Sequence, residues 1–555
     1  MRQPRSKTAE TAVLRDFRGF SGRPALGRTY RDNRYPAPII QMKSNHTIAL
    51  AAALSGALFV SPQATAAVRL PALFSDHMVL QREAAIPVWG WADPGEKITV
   101  SIAGRSQATT ADPKGKWSVK LDPLNAKEPA TLTVTGTNTL TVADVLVGEV
   151  WLASGQSNMQ MAVNGVNNAQ GEIAAATFPQ IRMFTVARLT AITPQEECGG
   201  KWVVCSPETV GQFSAAAYFF GRELHQTQHT PVGLINASWG GTAIEGWTSM
   251  PVQQAKPELA PVLEAWRQKT AVPFDEAQAL TRYEKQTEVW KNQVEKAKAA
   301  GKKPPQAPKK PVDPRLQPNH PANLFNGMIA PLIPYAIRGG IWYQGESNSN
   351  GQFAKLYATQ LPLLIQDWRH RWGQGQFPFA WVQLPNFKKP SMDPGAPSGW
   401  AVVREGMLRT LAVPHTGMAI TIDVGDAANI HPKDKQTVGK RLARWARATV
   451  YGEKIPSSGP LPAGHKINGA EIAISFTHAD HGLAAKDGEL KGFAIAGADQ
   501  KWVVAKARIA GDTVIVSSLE VPAPTAVRYA WADNPDCNLT NGAGLPASPF
   551  RTDDW

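Results

Sequence analysis

From Val145 to Ala153 the chain is almost unbroken apolar sequence, VLVGEVWLA, which stops at Ser154-Gly155 and is followed by Gln156-Ser157-Asn158 and a Met-rich stretch. A run without polar alternation reads as a strand buried on both faces, as in a parallel sheet. Glycine at 155 permits a sharp turn, so Ser157 is predicted at the C-terminal end of the strand, where a short helix starts. Similar runs recur at Pro231 to Ala237, Ile337 to Tyr343, Phe379 to Leu384 and Gly417 to Asp423. Helical periodicity intervenes. Phe353 to Trp372 places Tyr357, Leu361, Leu364, Ile365 and Trp368 on one face, and Lys435 to Val450 predicts another long helix. This alternation predicts a mostly parallel α/β domain over residues 144–450.

The flanks have a different texture. Over 67–143, short alternating runs (Ile86 to Trp91, Lys97 to Ile102, Trp117 to Leu121, Ala130 to Thr135) are cut by Asp93-Pro94-Gly95 and Asp112-Pro113-Lys114-Gly115. They predict a β-sandwich-like module. Residues 451–555 return to this pattern, with strands expected at Glu471 to Phe476, Gly492 to Ala496, Trp502 to Arg508, Thr513 to Val516 and Val527 to Trp531. Between them, at about 251–320, lies an insertion. Its Asp275 to Ala300 stretch is a charged helix, and its Lys302 to Pro314 stretch is Lys/Pro-rich and extended.

The first 66 residues stand apart. Met42-Lys43 opens a short polar region, Ile48 to Val60 is apolar, and Ala64-Thr65-Ala66 has the small residues of a signal-peptidase site. The apolar run is too short to span a membrane, so a secretory signal is expected and stable membrane insertion is not. The mature protein is then secreted or periplasmic and begins near Ala67. With 555 residues, 43% of them hydrophobic and 19% charged, the chain has the composition of a globular protein of two or three domains. The net charge of +13 owes about half its excess to residues 1–41, which carry nine Lys/Arg against three Asp/Glu. The remainder has no basic run with interleaved aromatics, which argues against a nucleic-acid partner. Three cysteines exclude a disulfide scaffold, although Cys198 and Cys205 bracket Gly199-Gly200 at a spacing that could close a small hairpin loop. No Cys/His cluster has metal-ligand spacing, so no metal is expected.

Chemistry gathers at the ends of the apolar runs. Ser157 follows the first, Ser238-Trp239-Gly240-Gly241-Thr242 the second, Gln344-Gly345-Glu346-Ser347-Asn348 the third, and Gly425-Asp426 with His431-Pro432 the last. Acyl transfer needs a nucleophilic hydroxyl, an imidazole base, a group that orients it and donors for a developing oxyanion. Each role has a candidate.

Taken in order, Gly155-Gln156-Ser157-Asn158, Ser238 to Thr242, Trp342 to Asn348 and Ile430-His431-Pro432 resemble the sialate O-acetylesterase family of SGNH-type serine esterases. The resemblance runs from about Leu73 to the C-terminus, including Leu73 to Gln81 and Trp531-Ala532-Asp533-Asn534-Pro535. It implies an SGNH-like three-layer α/β/α domain, Ser157 as nucleophile, His431 as base and an O-acetylated sugar as substrate, with no cofactor. The oxyanion would be held by the Ser157 N–H, an N–H of Gly240 or Gly241, and the Gln344 amide, where the general pattern has asparagine. The acid departs from the pattern, because the position three residues before His431 is Ala428. Asp426 is the preferred orienting acid, followed by Asp423 and Glu346, and a serine-histidine dyad is the remaining arrangement. Two other functions stay open: a lectin-like protein on an inactive esterase scaffold, suggested by 18 tryptophans, and a serine hydrolase of another ester.

Overall fold

The computed structural model describes residues 67–125, 128–391 and 393–555, all within a unit spanning 64–555. The expected signal sequence, with Ile48 to Val60 and Ala64-Thr65-Ala66, lies outside the described residues. The N-terminal strands are β1 (Val79–Gln81), β2 (Ile86–Trp91), β3 (Lys97–Ile102), β4 (Arg105–Thr110), β5 (Lys116–Leu121) and β6 (Ala130–Thr135). β2 pairs antiparallel with β5, and β3 with both β4 and β6. Alternate residues of β3 and β5 are buried, the pattern of strands with one face on a core.

β7 (Thr139–Gly155) is one 17-residue strand, longer at both ends than the apolar run suggested. It is followed by β8 (Phe178–Thr185), β9 (Trp202–Cys205), β10 (Val232–Ser238), β11 (Gly339–Tyr343), β12 (Phe379–Val382) and β13 (Thr416–Ala419). The first part of β7 pairs antiparallel with β6, its middle runs parallel to β1, and its last part lies between β10 and β11. The expected module boundary at 143/144 therefore falls inside a continuous strand. The sheet order is β13-β12-β11-β7-β10-β8-β9, parallel except for the β8–β9 pair. From β7 the chain lays β8 and β9 on one side, returns to insert β10 between β7 and β8, then crosses to the other side with β11 to β13. The strand order thus reverses at β7, and the C-terminal end of a strand at such a reversal is where open α/β sheets commonly bind ligands.

Both sheet faces are covered. Trp151, Ala153, Leu234, Ile341 and Tyr343 pack with the helices Ala215–Gln228 and Lys435–Thr449. Val150, Leu152, Ile235 and Trp342 pack on the other face with Tyr357, Leu361, Leu364 and Trp368 of the helix Tyr357–Trp372, and with Trp400, Val403 and Met407 of the helix Gly399–Arg409. Burial on both sides is why these strands read as solid apolar runs.

The C-terminal strands form two four-stranded antiparallel sheets and a two-stranded one, Leu483–Ala485 with Leu539–Asn541, around a core that includes Ile472, Ile474, Phe493, Ile495, Val527 and Tyr529. Here the sequence reading needs correction, since Trp502 to Arg508 is not one strand. Trp502–Val504 belongs to one sheet and Lys506–Ala510 to the other. The chain changes sheets at Ala505, whose N–H donates to Phe493 O at 3.0 Å. The charged segment is a helix, Glu276–Ala299, capped by the Asp275 carboxylate and without a buried residue. The Lys/Pro run after it has no regular structure up to Asp313, and Trp290 Nε1 ties it back to Pro305 O at 2.8 Å. Cys198 and Cys205 do not close a loop. Both thiols, like that of Cys537, are free, and burial pushes each of the three up to about 12.

Candidate active site

The turn after β7 anchors every neighbouring loop. Gly155 has φ +136°, and a Cβ there would come within 2.2 Å of Tyr343 O, so only glycine fits between β10 and β11. Gln156 N–H donates to Tyr343 O, and its side-chain Oε1 accepts from Gln344 Nε2 and Ser347 N–H. Ser157 opens the four-residue helix Ser157–Gln160. Asn158 is fully buried and donates through Nδ2 to Glu346 Oε1 (2.5 Å) and Ile430 O (3.0 Å). Gln160 Oε1 accepts from Gly240 N–H at 2.7 Å. Successive side chains of one turn thus fix the loops after β10, β11 and β13.

Ser157 and His431 meet although 274 positions separate them, with Nε2 2.8 Å from Oγ. His431 is half-buried. Burial, and then the positive charge of Lys435, hold its imidazole below the ordinary value, which favours the neutral, proton-accepting form.

The three candidate acids do not reach the imidazole, and among the described residues no carboxylate is hydrogen-bonded to it. Asp426 is exposed, and its Oδ1 accepts from Ala428 N–H at 2.8 Å, so the carboxylate closes its own turn. Asp423 makes a two-pronged pair with Arg441 at 2.6 and 2.7 Å. Glu346 is buried against Asn158, and burial raises its pKa. Backbone contacts hold the histidine instead. Its N–H donates to Asn429 Oδ1 at 3.0 Å, and the preceding carbonyl accepts from Asn158.

The oxyanion candidates also separate. A Cβ on Gly240 would lie 3.2 Å from Ser157 Cβ, so this glycine stands against the nucleophile, but its N–H is engaged by Gln160. Gly241 is exposed with φ +75°. Among the described residues neither its N–H nor that of Ser157 has a protein acceptor. Gln344 is fully buried, and its Nε2 donates within the protein, to Gln156 Oε1 (3.1 Å), Thr242 O (3.0 Å) and Asn348 Oδ1 (2.7 Å). Its amide braces the loops.

Residues 320–448, which carry Gln344, Glu346, His431 and Lys435, match the family model described as carbohydrate esterase, sialic acid-specific acetylesterase. The chain is 32% identical over 550 residues to the sialate O-acetylesterase of Mus musculus, covering 88% of this chain and 95% of the relative. To the Homo sapiens enzyme of the same name it is 32% identical over 528 residues, covering 87% and 92%. The chain belongs to the sialate O-acetylesterase family. Among solved structures, this member of the family is similar to a carbohydrate acetylesterase from Xanthomonas citri, with 38% identity, a TM-score of 0.74 and coverage of 88% of this chain and all of that one. Membership makes it a carboxylic ester hydrolase.

Two supports of this esterase site were given no role from sequence, one of them a motif that carried the resemblance. The first is Lys435, buried in the first turn of its helix, with Nζ 2.9 Å from Asn158 Oδ1. A cation at a helix N-terminus opposes the helix dipole, and that misplacement was the available signal. The second is the motif Trp531 to Pro535, which props up the histidine loop. Asn386 Nδ2 donates to Asn534 Oδ1 at 3.0 Å, and Asn386 Oδ1 accepts from Gly425 N–H at 2.8 Å. Arg404, fully buried, donates to the carbonyls of Leu384, Pro385, Ala532 and Asp533.

Proposed function

We propose that this chain is a secreted or periplasmic serine esterase, built on an SGNH-like three-layer α/β/α domain with β-sandwich-like flanks, that removes O-acetyl groups from carbohydrates through an acetyl-enzyme on Ser157. The observation that carries the reading is the 2.8 Å contact between Ser157 Oγ and His431 Nε2 at the point where the strand order reverses. Ser157 Oγ adds to the acetyl carbonyl as its proton passes to Nε2. The developing oxyanion is met by N–H groups at the Ser157 turn and Gly241. When the bond from the acetyl carbon to the sugar oxygen breaks, the imidazolium protonates that oxygen and the deacetylated sugar leaves. Water then repeats the sequence against the acetyl-enzyme and releases acetate. Histidine is oriented by its backbone, so the pair acts as a dyad.

The names of the relatives support an O-acetylated sugar as substrate, with an O-acetyl sialic acid and an O-acetylated xylan or xyloglucan oligosaccharide as the two classes to compare. The experiment is acetate release across a panel of such glycans by wild type and Ser157→Ala. Release from at least one acetylated glycan, lost in the variant, is expected. Cleavage of a peptide or a longer-chain ester without acetate release from any glycan would overturn the reading.

A further inference from the structure

Behind the Ser157–His431 pair lies a buried chain of polar groups that the esterase chemistry described so far does not use. Lys435 Nζ donates to Asn158 Oδ1 at 2.9 Å and to Pro432 O. Asn158 Nδ2 donates to Glu346 Oε1 at 2.5 Å and to Ile430 O at 3.0 Å. The carbonyls on both sides of His431, those of residues 430 and 432, are therefore held by one network, and the remaining backbone contact is His431 N–H to Asn429 Oδ1. Lys435 and Glu346 are both buried, and Asn158 is the bridge between them.

We propose that Lys435 is a positioning residue for ester hydrolysis: through Asn158 its ammonium offsets the buried carboxylate of Glu346, and the bridged pair pins the Ile430–Pro432 backbone so that the imidazole meets Ser157. In the general serine-esterase arrangement an acid holds the imidazole by its second nitrogen. Here the backbone on either side of the ring is held instead. A buried charge with no partner is costly, and this pairing gives each ion a hydrogen-bonded route to the other. The groups facing Lys435 are Glu346, the Tyr343 ring at 5.5 Å, Asp434 and His431. Asp434 spends its carboxylate on capping the helix at Thr437 N–H. Burial pushes the Lys435 ammonium down to about 7, against the pull of Glu346, so its charge is sensitive near neutral pH.

The inference rests on the Ser157–His431 reading, but the two fail separately. Ser157→Ala asks whether the nucleophile is right, whereas Lys435 variants ask what holds its partner. In Lys435→Met, kcat for an aryl acetate should fall about 10- to 100-fold with KM changed by no more than about twofold, because a loosely held base misplaces the proton acceptor by a fraction of an ångström. The acid limb of kcat/KM should move to higher pH, since the cation that disfavours imidazolium is gone. Adding Glu346→Gln should recover part of the lost kcat, because the carboxylate that Lys435 offset is then absent. Lys435→Gln, which can still donate to Asn158, reads the same limb if the Met variant does not fold. A folded Lys435→Met with unchanged kcat and acid limb would overturn the proposal. So would a loss carried by KM, or one that Glu346→Gln does not relieve. If no Lys435 variant folds, with or without Glu346→Gln, the residue is structural and the proposal falls.

Discussion

Placing a methyl group at position 240 tests how tightly the nucleophile is packed. The ideal Cβ of Gly240→Ala would lie 3.2 Å from Ser157 Cβ and 3.1 Å from Gln160 Oε1. Carbon atoms in contact prefer about 3.5–4.0 Å, so the neighbours must yield by a few tenths of an ångström. The backbone at 240 is not left-handed, so alanine brings no φ strain, and the global stability cost should stay near ~1 kcal/mol. The rate cost is larger in proportion. If a displacement of about 1 Å costs roughly 10²-fold, a shift of a third to a half of that costs about five- to tenfold in kcat. Gly511→Ala, in the turn between the strands Lys506–Ala510 and Thr513–Ser517, is the control. Its Cβ meets nothing within 4 Å, but φ +62° makes any L side chain strained by ~1 kcal/mol or more, so the penalty should appear in stability. The assay is kcat for an aryl acetate beside thermal unfolding for both variants. Wild-type kcat in Gly240→Ala, or a larger kcat loss at 511 than at 240, would refute the placement of Gly240 against Ser157.

Asp426→Asn should keep kcat within about threefold, because its carboxylate caps Ala428 N–H and does not touch His431; a loss of 10² or more, the range for a triad aspartate, would reinstate it. The acid limb of kcat/KM in wild type should lie below the ordinary imidazole value of 6.5, since burial and the Lys435 charge both disfavour imidazolium, so the neutral base persists to lower pH; a limb above 6.5 would contradict this. Arg404→Met leaves the Leu384 and Ala532 carbonyls without a protein donor among the described residues, while Pro385 O keeps Trp400 Nε1–H and Asp533 O keeps Phe387 N–H, and should cost roughly 2–6 kcal/mol, read as a lower denaturant midpoint; an unchanged midpoint would mean water replaces the guanidinium without penalty.

The central sheet was legible because two-sided burial makes β7, β10 and β11 contiguous apolar runs, and helical spacing marked Tyr357–Trp372 between β11 and β12. β8 and β9 lacked that signature, since Phe178–Thr185 is broken by Pro179, Gln180 and Arg182 and Trp202–Cys205 has only four residues. The sheet change at Ala505 was hidden because strand alternation continues across it. In the site, Ser157 and His431 stood out by lying beyond strand ends. The orienting group did not, because proximity in sequence favoured Asp426 while the fold spends that carboxylate on a local turn. Gln344 had the right chemistry for an oxyanion donor, but its hydrogen bonds are satisfied inside the loop packing. Lys435 was obscured by type, for a lysine after a helix cap reads as a solvated charge until its burial is seen.

The most direct test of the account is to quench turnover of an acetylated sugar or aryl acetate in the first moments of reaction and map any acetyl group on the protein. The account predicts one acetyl on the peptide containing Ser157, accumulating when deacetylation is slowed by low pH, and absent in Ser157→Ala together with a loss of turnover of roughly 10⁶. An acetyl group on another residue, or turnover by Ser157→Ala near that of wild type, would contradict it.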